Sequence, residues 1–166
     1  MKKKSGLRTV LNILIVISFL IYLFALYYFT LGKSAPAMMN GEYRRVNLVP
    51  FKTIFSYLNL FSRGRSSVAL LNLVGNIILF IPMGLYLPWF FKYLRKFWKD
   101  TLAVLFTILL VEGLEYVTGR GSLDVDDVIL NLLGAIIAYG IWCLPFIQWI
   151  VRALQGEENN KNESAS

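Results

Sequence analysis

Five carboxylates and one amide fall between Glu112 and Asn131 of an otherwise apolar chain, and their spacing sets the chemistry open to them. Glu112 and Glu115 stand at i, i+3 near the end of one apolar run. Asp124, Asp127 and Asn131 stand at i, i+3, i+7 at the start of the next, so each group shares one helix face. Asp126 lies between Asp124 and Asp127, and a turn with Gly119, Arg120 and Gly121 joins the two runs. Five carboxylates set against Arg120 cannot all be charged and dry. They must pair, take up water, bind a cation or share protons. Asn72 and Asn76, at i, i+4 in an earlier apolar run, add two amides to the same inventory. Ionisable groups beside or within membrane spans are costly to keep and mark functional sites by default.

The elements that must position these residues follow from hydropathy. The chain has 166 residues, of which 57% are hydrophobic and 16% charged, a balance that belongs to the membrane class. Four uncharged or nearly uncharged runs are long enough to cross a bilayer, at about 9–32, 68–91, 101–117 and 128–151. The expected fold is an all-α integral membrane protein, a bundle of four transmembrane helices forming one domain over 1–154. A polar, disordered tail is expected over 155–166. Lys2, Lys3, Lys4 and Arg8 before the first run resemble a signal peptide, and Ala35-Pro36-Ala37 has the look of a cleavage site. The apolar stretch exceeds a signal core of about 7–15 residues, which favours an uncleaved first helix.

The loop over 33–67 is basic, with Lys33, Arg44, Arg45, Lys52, Arg63 and Arg65 against Glu42. Within it Phe51, Ile54, Phe55, Leu58 and Phe61 recur at helical spacing after Pro50, which predicts an interfacial amphipathic helix in the first external loop. Pro82 is expected to kink the second span and Gly84 to admit a close helix neighbour. Lys92, Arg95, Lys96 and Lys99 crowd the next short connection. With four spans and the positive-inside bias of short flanks, both termini and the 92–99 connection are expected in the cytoplasm of a multi-pass cell-membrane protein. Asn72 and Asn76, then Glu112 and Glu115, then Asp124, Asp127 and Asn131 would reach one depth in the outer half. Glu112 would lie roughly 17 Å along the third span.

Two roles compete at these positions. Capping and helix-dipole complementation account for Asp124 and Asp126. They do not account for Glu112, which lies too deep in its helix, so Glu112, Asp127 and Asn131 are assigned to a shared site. The absence of histidine removes His-based triads, His-ligated zinc and phosphatases with a histidine nucleophile. The net charge of +7 flanks the apolar runs and forms no separate basic domain, so nucleic acid is not an expected partner. Cys143, alone in an apolar run, is a packing residue.

The chain resembles the VanZ-like family, named for a teicoplanin-resistance protein of Gram-positive bacteria, from Asn47 to about Tyr139. The resemblance rests on Asn47-Leu48-Val49-Pro50-Phe51, on Asn76 with Phe80-Ile81-Pro82-Met83-Gly84, and on Glu112 with Glu115. It continues through Gly119-Arg120, Asp124, Asp127, Asn131 and Gly134. Glu115 departs from it, since members commonly carry Gln there. The resemblance implies an integral membrane protein, tied in some members to lowered glycopeptide or lipoglycopeptide susceptibility, and implies no established chemistry.

Three functions are open at this point. A non-enzymatic envelope protein would bind a lipid-linked wall precursor, an anionic membrane lipid or a glycopeptide antibiotic. It would use Asn72, Asn76, Glu112, Glu115, Arg120, Asp124, Asp127 and Asn131 as the polar site, with Arg44, Arg45 and Lys52 on the head group. It would need no cofactor. A membrane enzyme would use Glu112, Asp124 and Asp127 to hold a divalent cation for phosphoryl or glycosyl transfer on a lipid. An ion pathway would want polar groups in the inner halves as well, and those halves are apolar.

Overall fold

The computed structural model describes residues 2–32, 46–62 and 66–155. The helices are α1 (Lys2–Thr30), α2 (Lys52–Ser62), α3 (Ser66–Phe90), α4 (Phe97–Thr118), α5 (Val125–Trp142) and α6 (Pro145–Gln155), with a short 3-10 turn over Lys92–Arg95. Four of them are long and apolar enough to span a membrane: Gly6–Thr30, Ala69–Phe90, Phe97–Thr118 and Val125–Trp142. This is an all-α membrane protein, as the hydropathy predicts.

One expectation is corrected. The fourth apolar run is not one helix to residue 151. It stops at Trp142, and a separate α6 begins at Pro145. Proline cannot supply a backbone N–H to continue a helix and turns the preceding residue away from helical geometry, so Pro145 starts a new helix more readily than it extends an old one. Proline does not always interrupt, since α3 carries both Pro82 and Pro88 within it. A feature that hydropathy does not predict is a two-residue parallel strand pair, β1 (Val46–Asn47) with β2 (Leu123–Asp124), in register Val46 to Leu123 and Asn47 to Asp124. It ties the first long loop to the α4–α5 turn.

Packing centres on α3 and α5, the most extensively paired helices. Lipid tails are as apolar as leucine, so helix pairs in a membrane gain mainly from close van der Waals approach, and small residues permit it. A Cβ on Gly84 would meet the Ala135 carbonyl oxygen at 2.8 Å, and one on Gly134 would overlap the Ile77 carbonyl. Gly84 thus has the close neighbour its position predicts. Leu26, Phe80, Met83, Val104, Ile108 and Ala135 form the buried core across α1, α3, α4 and α5. Tyr22 donates to the Leu79 carbonyl (3.0 Å) and Tyr86 to Ser18 Oγ (2.9 Å), which sets α1 in register on α3. The outer surface is strongly apolar, with Leu20, Phe24, Leu71, Phe106 and Leu109 all more than half exposed, as lipid contact requires.

Candidate functional site

The site is built around the start of α5. Helices begin with backbone N–H groups that lack partners, and a short acidic side chain there can accept from them. Asp124 does this for its own helix, accepting from the Asp126 N–H (2.9 Å). Its carboxylate also takes Asn47 Nδ2 at 2.9 Å on Oδ1 and Thr53 Oγ1 at 2.6 Å on Oδ2. Asn47 Nδ2 reaches Thr53 Oγ1 as well (3.0 Å), and its own oxygen accepts from the Val49 N–H. The capping role assigned to Asp124 is therefore present, and two further partners come from the loop.

Asp126 behaves differently from its expected role. Instead of serving only its own helix dipole, its fully buried carboxylate crosses to the start of α2. Oδ1 accepts from the Phe51 N–H (2.5 Å), and Oδ2 from the N–H groups of Thr53 (2.7 Å) and Ile54 (3.2 Å). An ionised acceptor facing several helix-terminal donors makes stronger bonds than a neutral one. Phe51 has a left-handed backbone, φ 66, which is uncommon for a bulky residue. That conformation accompanies the turn that delivers its N–H to Asp126. Asp124 and Asp126 together form a clamp that fastens 47–54 to α5.

A second polar layer lies beside and beneath the clamp. Asn76 of α3 donates to Asp127 Oδ1 (2.5 Å). Glu112 of α4, 5% exposed, accepts from the Asp124 backbone N–H and lies within Coulombic reach of Asp127, Glu115 and Asp124. Its Oε2 has no hydrogen-bond partner. Asn131, one turn along α5 from Asp127 and 4% exposed, likewise has an Oδ1 with no partner. Buried acceptors are nearly always satisfied, so two in one polar layer call for an explanation. The expected convergence of α3, α4 and α5 is thus found for Asn76, Glu112, Asp124 and Asp127, with Asn131 buried adjacent to them.

The remaining positions are more peripheral. Glu115 is half-buried, and its carbonyl accepts from the Arg120 N–H at 2.9 Å, closing α4 at Gly119, whose φ is 69. Arg120 and Asn72 are exposed. Lys52 is exposed at the first position of α2, while Arg44 and Arg45 lie outside the described residues. Asn47 is marked in the sequence only by the family resemblance, and Thr53 and Tyr57 carry no sequence signal of their own. Tyr57 is half-buried on α2, and burial, with Asp127 and Asp124 nearby, pushes its hydroxyl above its ordinary range. Far from this cluster, Asp100 in the first turn of α4 is fully buried, and neither carboxylate oxygen has a partner. Asp100 stands one residue before the apolar run expected over 101–117, so it carries no assigned role.

Chemically, the clamp is committed to holding the loop, whereas Glu112 and Asn131 offer acceptors that the chain itself leaves unfilled. Among the described residues no three His, Cys, Asp or Glu side chains are grouped to hold a metal ion. No curated protein and no solved structure matches the chain. A family model described as VanZ/LLP1 matches residues 19–148, which include α2 through α5, the clamp and the buried polar layer. The chain belongs to the VanZ/LLP1 family.

Proposed function

We propose that this protein is a non-enzymatic component of the cell envelope that binds a membrane-resident ligand at the polar layer between α3, α4 and α5. The ligand class is a lipid-linked wall precursor, an anionic lipid or a glycopeptide antibiotic, and its bound part presents an amine or hydroxyl donor. The observation that carries this reading is the pair of buried, unfilled acceptors, Glu112 Oε2 and Asn131 Oδ1. An unpaired acceptor in low dielectric costs about 1–3 kcal/mol, and an ionised one more. A ligand ammonium or hydroxyl at both positions would recover that cost. Lys52 at the mouth of the clamp, with Arg44 and Arg45 preceding it in sequence, supplies the cations for a phosphate or pyrophosphate.

In this reading the polar layer faces the outside of the cell membrane and both termini lie in the cytoplasm. The enzymatic alternative is less well supported. Asp124, one of its three cation ligands, already accepts from Asn47, Thr53 and the Asp126 N–H.

A contribution of this site to glycopeptide resistance is part of the proposal, supported by family membership, and it has its own test. Expression of the chain in a teicoplanin-susceptible Gram-positive host should raise the inhibitory concentration, and Glu112→Gln should abolish the rise at equal membrane abundance. An equal rise with both proteins would separate resistance from this site.

A further inference from the structure

Helix α6 has three distinct sides. Ile147, Ile150 and Val151 share a cleft with Ile15 and Ser18 of α1 and Trp89 of α3. Phe146 and Trp149 point away from the bundle, 66% and 59% exposed, with their rings stacked at 6.3 Å between centroids. Gln148, Arg152 and Gln155, at spacings of four and three, form the polar side. A helix with one packed side, one bare aromatic side and one polar side suits a membrane boundary.

The register of α1 places that boundary. Ser18 lies opposite Tyr86, and α3 ends at Phe90, about 6 Å farther on at about 1.5 Å per residue. From Ser18, α1 runs back about 24 Å to Lys2. It therefore stands well past this end of the bundle, with Leu7, Val10, Ile13 and Leu14 each more than half exposed. Those side chains need lipid, so the hydrocarbon edge lies near Arg8, about 9 Å beyond the end of α3. α6 and the Lys92–Arg95 turn occupy the layer between, close to the depth of about 5–10 Å at which amphipathic helices are buried.

The charge of this layer is positive. Lys92, Lys96 and Arg152 are exposed, and the Lys99 ammonium sits 3.1 Å from the centre of the Tyr93 ring. Arg95 donates to Gln155 Oε1, and Gln155 Nε2 to the Trp89 carbonyl (3.0 Å), which fastens the basic turn and α3 to the end of α6. Asp100, the acid of the neighbouring first turn of α4, is fully buried and adds nothing to the surface.

We propose that α6 and the 92–99 turn form a docking surface for anionic phospholipid head groups, at the end of the bundle opposite the carboxylate site. Phe146 and Trp149 enter the acyl region, while Lys96 and Arg152, with Lys92, meet the phosphates. The surface is independent of the ligand proposed for the polar layer.

The test is native mass spectrometry of the full chain in mixed micelles holding equal phosphatidylglycerol and phosphatidylcholine. The wild type should retain phosphatidylglycerol preferentially at low salt and lose that preference in high salt. Each basic residue near an anionic surface is worth about 1 kcal/mol, so Lys96→Gln and Arg152→Gln should each lower phosphatidylglycerol retention about fivefold. The charge-keeping pair Lys96→Arg with Arg152→Lys should retain it. Phe146→Ala with Trp149→Ala should lower retention of both lipids. Equal retention of the two lipids by the wild type, a preference that survives high salt, or one that survives the double Gln variant would overturn the proposal.

Discussion

Asp126→Asn tests the clamp by exchanging one carboxylate oxygen for an NH2 group, with almost no change of shape. The carboxylate accepts three backbone N–H groups from Phe51, Thr53 and Ile54 while fully buried. Bonds to an ionised acceptor contribute about 1.5–3 kcal/mol each, and neutral ones about 0.5–1.5. Asparagine keeps one oxygen. Placed toward Thr53 and Ile54, that oxygen preserves two bonds at neutral strength and turns an NH2 group onto the Phe51 N–H. The lost assistance and one stranded buried donor together cost about 2–4 kcal/mol. The cost should fall on docking of α2 before it falls on the bundle, because the spans are held by other contacts. Hydrogen–deuterium exchange of the full chain in nanodiscs should show the amides of 51–54 exchanging about 30- to 700-fold faster, at about 1.4 kcal/mol per tenfold. The core of α3 should be unchanged. Asp124→Asn should cost less, since asparagine caps a helix about as well as aspartate. Unchanged protection at 51–54 in Asp126→Asn would refute the clamp.

Two further outcomes are expected. Gly134→Ala should lower stability in detergent by about 1–3 kcal/mol, because the new Cβ meets the Ile77 carbonyl, whereas Gly140→Ala, which meets nothing within 4 Å, should be neutral by the same thermal assay. In a Cys143→Ser background, a cysteine at Ser122 should react with an impermeant thiol reagent in intact cells and one at Lys96 only after lysis; the reverse pattern would invert the proposed orientation.

What could be read from the sequence and what could not divide along physical lines. The four spans were legible because uncharged length is a local property, and the grouping of Glu112, Asp127 and Asn76 followed from depth once the spans alternated. Asp124 was legible as a cap because capping is local too. The second partner of Asp126 was not, since it lies 75 residues away at Phe51 and depends on how the loop folds back. Asn47 pairs with Asp124 over a similar separation, and no periodicity encodes that meeting. The break at Pro145 was hidden by a run of unbroken hydropathy. The spacing of Gln148, Arg152 and Gln155 was a usable sign of an amphipathic helix there. The burial of Asp100 was not legible because it falls beside Lys96 and Lys99, just before the apolar run, where an acid looks solvated.

Glu112 carries the proposed site most directly, and lipid-resolved mass spectrometry of the purified protein reads its role without a prior guess at the ligand. Wild-type protein should carry a co-purifying amphiphile bearing an amine or hydroxyl group. Glu112→Gln and Asp127→Asn should each lose it with thermal stability unchanged or raised. The double variant should lose no more than either single one, because both residues serve one site. Retention of the same species by Glu112→Gln at wild-type stoichiometry would contradict the account.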